Sequence, residues 1–442
     1  MDRRAFLVLT LAGCADPSNR VAVGLPGIAT PAPTPQQPAP VQPLPTSGDP
    51  TFDAWLNGFY QKMVTEGFPS TLLDRELSGL SPEASILVSD KGQPELSKPF
   101  SKYIIDTVSD NRIAIGRQMH VSQPILPGLE TQYGVPRDLV LAIWAMESAF
   151  GKIQGDHDVL RAFATLAWQG RRRAWAEDEL RACLRIISSG EAPRERLKGS
   201  WAGAMGQTQF LPSVYLSTAV DGDHDGKRDI WGSSDDALAS TANYMAKAGW
   251  AAGQSWAREV TLPAGFDYSV AEGPKNTPIE WATMGVTRAD GLPWSGADAS
   301  VGATLFLPTG ARGPAFLLFP NHFVIRKYNN AATYALAVGL LADRFGGEGP
   351  LIKAWPPETG LLLADRLASQ RALQAAGFYK GDIDGAFGTG GRAALRLWQK
   401  ARGYTPDGYL SPEMVAALKA ELAAGIPAGP APDAPAPVTP PQ

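Results

Sequence analysis

Cysteine is almost missing from this chain. Cys14 and Cys183 are the only two in 442 residues, so no disulfide framework can be read, although one bond fits the count. An excess of positive charge is missing too: 40 Lys and Arg face 44 Asp and Glu, for a net charge of −4. That balance leaves no basic footprint and argues against a nucleic-acid partner. The apolar run near the amino terminus, Ala5 to Leu9, is too short to span a bilayer as a lasting helix. What the chain does have is a hydrophobic content of 44%. At this length that buries more than one core, and two to three domains are expected.

Before the apolar run stand Arg3 and Arg4, and after it comes Leu11-Ala12-Gly13-Cys14. Positive, apolar, then small is the order of an export signal, here residues 1–14. Its ending resembles the bacterial lipobox, which implies that Cys14 is lipidated and heads a mature lipoprotein anchored to a membrane. Ala15 follows, in place of the Asp that in some bacteria signals inner-membrane retention, so the expected location is the periplasm, at the outer membrane. The alternative is an ordinary cleaved signal with a chance cysteine. Arg3-Arg4-Ala5-Phe6-Leu7 also resembles a twin-arginine signal, and the Sec and twin-arginine routes both stay open. Residues 15–50, crowded with Pro, Ala, Thr and Gln from Pro26 onward, cannot build a core and read as an extended tether. At ~3.1 Å per residue it reaches tens of Å from its anchor.

From Thr51 helical spacing takes over. Phe52, Trp55, Leu56, Phe59, Tyr60 and Met63 recur at i, i+3, i+4 and i+7, and similar patterns run over 104–119, 237–248 and 331–345. Between about 260 and 326 short β-rich runs appear instead, at 303–307 and 315–319, with Gly and Pro between them. The expected fold is mainly α (α+β), with a helical domain at 51–346 that carries a small β-containing insertion. A Pro/Gly-rich break at 347–362 leads to a compact module at 363–422 and a disordered Pro/Ala tail at 423–442. Within the module, Asp384-Gly385 precedes a helical 391–401 and Asp407-Gly408 precedes a helical 412–422, a loose internal repeat.

The chemistry begins at 139–151, LVLAIWAMESAFG. Val140 and Ile143 lie seven and four residues before Glu147, Trp144 three before it and Phe150 three after it, all on one helix face. Val135-Pro136 offers a start and Gly151 a stop. A carboxyl group inside a buried apolar stripe is expected to keep its proton to higher pH than a solvated Glu, as a general acid must. A core Glu paired with Arg or Lys is the plain alternative. A second stretch, Ser200 to Ser213, has small residues at 202, 203, 204 and 206, where another chain can approach the backbone closely. Among them Ser200, Gln207 and Gln209 offer neutral donors and acceptors. Such a stretch lines a sugar groove or, more simply, packs tightly.

Together, Glu-Ser-x-Phe-Gly at 147–151, Gly-Ala-Met-Gly-x-x-Gln-Phe-x-Pro-Ser at 203–213 and Tyr328-Asn329 resemble the lytic murein transglycosylases of the membrane-bound B type. The resemblance runs from about Phe52 to Phe345, including Asp90-Lys91-Gly92-Gln93-Pro94-Glu95 and Asn243-Tyr244. It implies a lysozyme-like helical catalytic domain with a β-containing subdomain, cleaving the bond between N-acetylmuramic acid and N-acetylglucosamine in peptidoglycan. Ordinary glycosidases flank the bond with two carboxylates; these motifs hold one. The resemblance implies that Glu147 serves twice. It protonates the departing oxygen and then takes the proton of the muramic C6 hydroxyl as a 1,6-anhydro ring closes. No cofactor is required for that chemistry. Ser200, Gln207, Gln209, Tyr244, Tyr328, Asn329 and Tyr334 are then groove residues, although Tyr244 and Tyr334 also read as amphipathic core edges and Asn329 as a helix cap. Two other readings stay open. In one, Asp156 or Asp158 is a second carboxylate of a hydrolytic muramidase, unless Asp158 only caps the helix after it. In the other, the chain is a non-catalytic wall-binding scaffold. Other cell-wall enzymes are candidate partners.

Asp221, Asp223, Asp225 and Asp229 fall at positions 1, 3, 5 and 9 of an EF-hand-like loop with Gly226 at position 6. Position 12 is Gly232, where a Glu is expected. In the resembled family the loop is longer and closes with an Asp, matched here by Asp235. Structural Ca2+ is expected, since crowded carboxylates need a cation or protons; a solvated acidic turn is the alternative. Lastly, Gln370 to Gln374, Gly377-Phe378-Tyr379, Asp382 to Gly385 and Gly388 resemble the three-helix peptidoglycan-binding domain, which implies wall tethering.

Overall fold

The computed structural model describes residues 44–91 and 98–425. The export signal, the Cys14 lipidation, most of the tether, residues 92–95 of the Asp90 motif and the tail from 426 onward lie outside the described residues. Within them the fold is mainly α with a small antiparallel sheet. No helix among the described residues is long and apolar enough to cross a membrane.

Asp49 starts the first helix, Pro50–Thr65, by accepting from the backbone N–H of Thr51 and Phe52. That helix buries Phe52, Leu56, Phe59, Tyr60 and Met63, the face the spacing predicted. The 104–119 pattern, by contrast, resolves into two helices, Phe100–Thr107 and Asp110–Ser122. Ser109 makes the break: its hydroxyl accepts from Arg112 N at 3.4 Å and begins the second helix.

The centre of the molecule is a pair of helices. Arg137–Ser148 is buried continuously from Leu139 to Ala145, and Ala332–Phe345 continuously from Tyr334 to Ala342. They run antiparallel, since Tyr334 meets Glu147 at one end while Gly346 lies against Asp138 at the other. Each fully buried Leu or Ile there contributes on the order of 1.5–3 kcal/mol relative to exposure.

Two short strands, β1 (His157–Asp158) and β2 (Lys198–Gly199), pair antiparallel. A four-stranded antiparallel sheet follows from β3 (Ala257–Thr261), β4 (Thr287–Arg288), β5 (Thr304–Phe306) and β6 (Ala315–Leu318), in the order β4-β3-β6-β5. All four residues of β6 are buried because the sheet is covered on both faces. Phe316 and Leu318 join the helical core, and Ala315 and Leu317 join a separate core with Val260, Leu305 and Trp281. The β-containing part begins at Ala257, slightly before the predicted 260. Helix returns at Pro320–Tyr328, earlier than the predicted 331, because Pro320 fits a first helical turn.

The C-terminal module consists of Leu363–Ala375, Thr389–Ala401 and Pro412–Ala424. Its repeat is physical. Gly385 N donates to Gln370 Oε1 at 2.6 Å while Gln370 Nε2 donates to Asp384 Oδ1 at 2.9 Å. Gly408 N and Gln399 Oε1 at 2.8 Å, with Gln399 Nε2 and Asp407 Oδ1 at 3.1 Å, repeat the pattern. The module is fastened to the β-containing part. Glu272, only 9% exposed, pairs with Arg392 and, at 2.9 Å, with the buried Arg396, and Asp407 Oδ2 accepts from Ala311 N at 3.0 Å.

Candidate active site

Glu147 occupies the last turn of the Arg137–Ser148 helix. The helix stops at Ser148, earlier than the predicted Gly151, because Ala149, Phe150 and Gly151 take φ of 50°, 61° and 81° in succession. Left-handed backbone costs a non-glycine residue roughly 1–2 kcal/mol, so the turn needs support. The buried Ser148 accepts from Gly151 N at 3.0 Å, and Phe150 packs edge-on against Trp144 at 5.6 Å between centroids. At Gly151 a Cβ would lie 2.5 Å from Gln207 Oε1. Gln207 is buried beneath this turn. It accepts from Trp144 Nε1 at 2.9 Å and donates to Trp231 O at 3.2 Å. Predicted as a groove residue, it ties the Glu147 helix to the 203–213 stretch, with both ends of its amide engaged inside the protein.

Val140, Ile143, Trp144 and Phe150 are buried, whereas Glu147 is half-buried. The apolar stripe faces the core and opens at its last turn. There the phenol of Tyr334, 5% exposed, donates to Glu147 Oε1. Burial, and then the charge of Glu147, push the Tyr334 hydroxyl well above its ordinary range, so it remains a neutral donor. Tyr328 is raised for the same two reasons, and its hydroxyl donates to Thr208 O at 2.6 Å. The Tyr244 ring meets the Tyr328 ring edge-on at 4.8 Å, and its hydroxyl donates to Lys327 O at 2.6 Å. Phe210 lies against both rings, at 5.7 and 5.9 Å. Sequence reasoning passed over Phe210; its one signal was its place in the 203–213 motif.

Gln209, at φ 51°, donates from Nε2 to Gln154 O at 3.0 Å and Gly206 O at 2.8 Å. The backbone thus fixes the amide and leaves Oε1 for a ligand. Ser200 Oγ accepts from Ala204 N at 3.2 Å and keeps its own proton to donate. Asn329 is exposed, and its Oδ1 accepts from Ala331 N at 3.0 Å in a turn just ahead of the Ala332–Phe345 helix. The N-cap of that helix is Ala331, without a side-chain cap, so Asn329 does not cap it and its amide nitrogen is left over. The small residues of the motif pack inward: Gly203 lies against the Phe163 ring and Gly206 against Ile230. Asp158 caps the Val159–Gln169 helix through Arg161 N at 3.2 Å and pairs with Arg194 at 2.8 Å, while Asp156 is exposed.

The acidic loop differs from expectation. Asp221 and Asp223 come together with Asp236, each offering an oxygen within 4.8 Å of the others. Asp235 is not in the cluster, because Ser233 caps the Ser234–Lys247 helix and accepts from Asp236 N, which aims position 236 back into the loop. Asp236 is fully buried and accepts from Gly222 N at 2.7 Å and Asp229 N at 2.6 Å. Asp229 is engaged by Arg196 at 3.0 Å and Asp225 by Lys227 N at 2.9 Å. Burial raises the Asp236 carboxyl, with the Asp223 charge adding to it. A hard cation relieves that repulsion, and an all-carboxylate donor set suits calcium.

Comparison with known proteins gives the same outline. Residues 51–343 match the family described as "Transglycosylase SLT domain", and residues 364–418 the family described as "Putative peptidoglycan binding domain". Over 219 residues the chain is 33% identical to the membrane-bound lytic murein transglycosylase B of Escherichia coli (strain K12). The match covers 48% of this chain and 57% of that protein, so the chain spans little more than half the length of that relative. The crystal structure of SltB3 from Pseudomonas aeruginosa in complex with NAG-anhNAM-pentapeptide is 44% identical with a TM-score of 0.80, covering 84% of this chain and 100% of that one. The Escherichia coli lytic transglycosylase Slt35 in complex with calcium is 28% identical with a TM-score of 0.57, over 68% of this chain and 93% of that one.

Proposed function

The chain belongs to the SLT-domain transglycosylase family, and from that premise we propose that it cleaves the β-1,4 bond between MurNAc and GlcNAc of peptidoglycan as a lytic transglycosylase, with Glu147 as its single acid and base. The observation that carries this reading is the half-buried Glu147 held by the neutral phenol of Tyr334 beside the packed rings of Tyr328, Tyr244 and Phe210, while Asp158 is engaged as a cap and ion pair. Protonated Glu147 gives its proton to the glycosidic oxygen as the C1–O bond breaks. The carboxylate then takes the proton of the C6 hydroxyl, whose oxygen bonds to C1 and closes the 1,6-anhydro ring. Atoms balance without water.

Tyr334 is the positioning residue for Glu147. Its bond to Oε1 fixes the carboxyl plane and cannot deliver a proton at working pH. Gln209 Oε1, Ser200, Asn329 and the Tyr244–Tyr328 pair hold the sugar, and the neutral oxygens face the positive charge that develops at C1. The NAG-anhNAM-pentapeptide bound to SltB3 of Pseudomonas aeruginosa supports an anhydro product. The C-terminal module holds the enzyme on peptidoglycan, and a lipidated Cys14 anchors it in the periplasm. Ca2+ held by Asp221, Asp223 and Asp236 has a structural role, a reading that the calcium complex of the Escherichia coli relative supports.

Digestion of purified peptidoglycan in water enriched in 18O tests the proposal. Anhydro ends without solvent oxygen are the expected products. Reducing ends that carry 18O would mean hydrolysis and a second base.

A further inference from the structure

The two Asp-Gly turns of the C-terminal module are built alike, yet only one has an occupant. In each, a buried glutamine of the preceding helix holds the turn, Gln370 for Asp384-Gly385 and Gln399 for Asp407-Gly408. In each, the Asp engages Oδ1 inside the turn. Asp384 Oδ1 accepts from Gln370 Nε2 at 2.9 Å and Ala386 N at 2.8 Å, and Asp407 Oδ1 from Gln399 Nε2 at 3.1 Å and Tyr409 N at 3.0 Å. Both turns lead, four residues after the Asp, to a helix N-cap, Gly388 or Ser411. What differs is Oδ2.

Asp407 Oδ2 accepts from Ala311 N at 3.0 Å, and Gly310, the residue before that donor, sits on the turn at φ 67°. An L-configured Cβ on Gly310 would strike Asp407 Oδ2 and lie 2.7 Å from Tyr409 Cβ. This turn therefore receives a left-handed residue with no L side chain, followed by an amide N–H. The matching oxygen of the other turn, Asp384 Oδ2, has no partner among the described residues, and Asp384 is exposed. Ala386 stands where its twin has Tyr409, a smaller side chain beside the open acceptor. A left-handed φ strains an L-residue, whereas a D-residue adopts it without strain and puts its Cβ on the other side of the backbone.

We infer that the Asp384-Gly385-Ala386 turn is the module's contact to the peptide stems of peptidoglycan, and that it takes a D-alanyl amide with the N–H on Asp384 Oδ2. The inference rests on the reading that the module holds the enzyme on peptidoglycan. Stem peptides contain D-Ala followed by an amide N–H both at D-Ala-D-Ala ends and at cross-links. Chains of L-residues present the same step without strain only at glycine, as Gly310-Ala311 does on the twin turn. A charge-assisted bond from an amide to a carboxylate oxygen is among the stronger hydrogen bonds, so one such contact is enough to discriminate.

The test is a ligand-detected NMR titration of the full chain with the N-methylamide of L-Ala-γ-D-Glu-meso-diaminopimelyl-D-Ala. Two controls accompany it: the methyl ester, in which oxygen replaces the N–H, and the N-methylamide that ends in L-Ala. Saturable binding of the D-alanyl amide is expected, weaker by about tenfold or more for each control. Asp384→Asn should abolish the preference for amide over ester, because a carboxamide nitrogen replaces Oδ2 while Oδ1 keeps its bonds in the turn. If that variant fails to fold, the three peptides still decide on the unaltered chain. No saturation by about 5 mM, equal binding of the D-alanyl amide and either control, or a preference that survives in Asp384→Asn overturns the site. Sedimentation with insoluble peptidoglycan separates the two readings. A chain that sediments but shows no preference loses only this contact, and one that does not sediment loses the module reading as well.

Discussion

At the scale of single residues, the chemistry depends on how Glu147 is held. Tyr334→Phe keeps the volume of a side chain that is 5% exposed and removes only the donor to Oε1. The expected outcome is a fall in kcat of about 10- to 100-fold with the melting temperature nearly unchanged; loss of stability in step with activity would mean that the phenol only packs. Glu147 itself was legible in the sequence, because a carboxylate at helical spacing among Val140, Ile143 and Trp144 is out of place on a buried face. Gln207 and Asp236 were not. Gln207 follows Gly206 and precedes Gln209, both at positive φ, so its direction is set by backbone turns that no periodicity encodes. Asp235 and Asp236 are adjacent acids, and only the Ser233 cap decides which one points into the loop.

At the scale of elements, the end of the Glu147 helix is the fragile point. Gly151→Ala puts a Cβ at φ 81° and 2.5 Å from Gln207 Oε1, straining the turn and disturbing the Trp144–Gln207 bond. A loss of roughly 1–3 kcal/mol is expected in urea unfolding, together with reduced kcat. The acidic loop leads into the Ser234–Lys247 helix that carries Tyr244, so chelating calcium should lower the melting temperature by several degrees and adding it back should restore it. A Tm insensitive to both sinks the calcium reading, and Asp236→Asn should abolish the response. Long helices with one apolar face could be read ahead. The split at Ser109 could not, because a single capping hydroxyl outweighs a continuous apolar pattern. Nor could β1 and β2, whose two residues each are too few to show a period.

For the whole molecule, the salient contact is the ion cluster that docks the C-terminal module. Burial works against the Glu272 charge, but the hydrogen bond and charge of Arg392, with Arg396 behind it, prevail and hold the carboxyl below its usual range. A depressed folded-state pKa means that this contribution is present above an unfolded value of about 4.3 and is lost as pH falls through the folded value. Glu272→Gln leaves two largely buried guanidinium groups without a counter-charge, a change on the order of 3–5 kcal/mol. Calorimetry should then show two transitions where the unaltered chain shows one, with faster proteolysis across 346–362. One transition in both would mean that the cluster does not couple the parts. The module was recognisable from its Asp-Gly turns, whereas its docking partner was not, since Glu272 lies more than a hundred residues before Arg392 and carries no local signal.

The central claim is one carboxylate doing two proton transfers on peptidoglycan. Mass spectrometry of muropeptides released by the wild-type chain and by Glu147→Gln tests it most directly. The account predicts anhydromuramic products from the wild type and a loss of at least 100-fold in the variant. Equal release from both, or reducing-end products from the wild type, would contradict it.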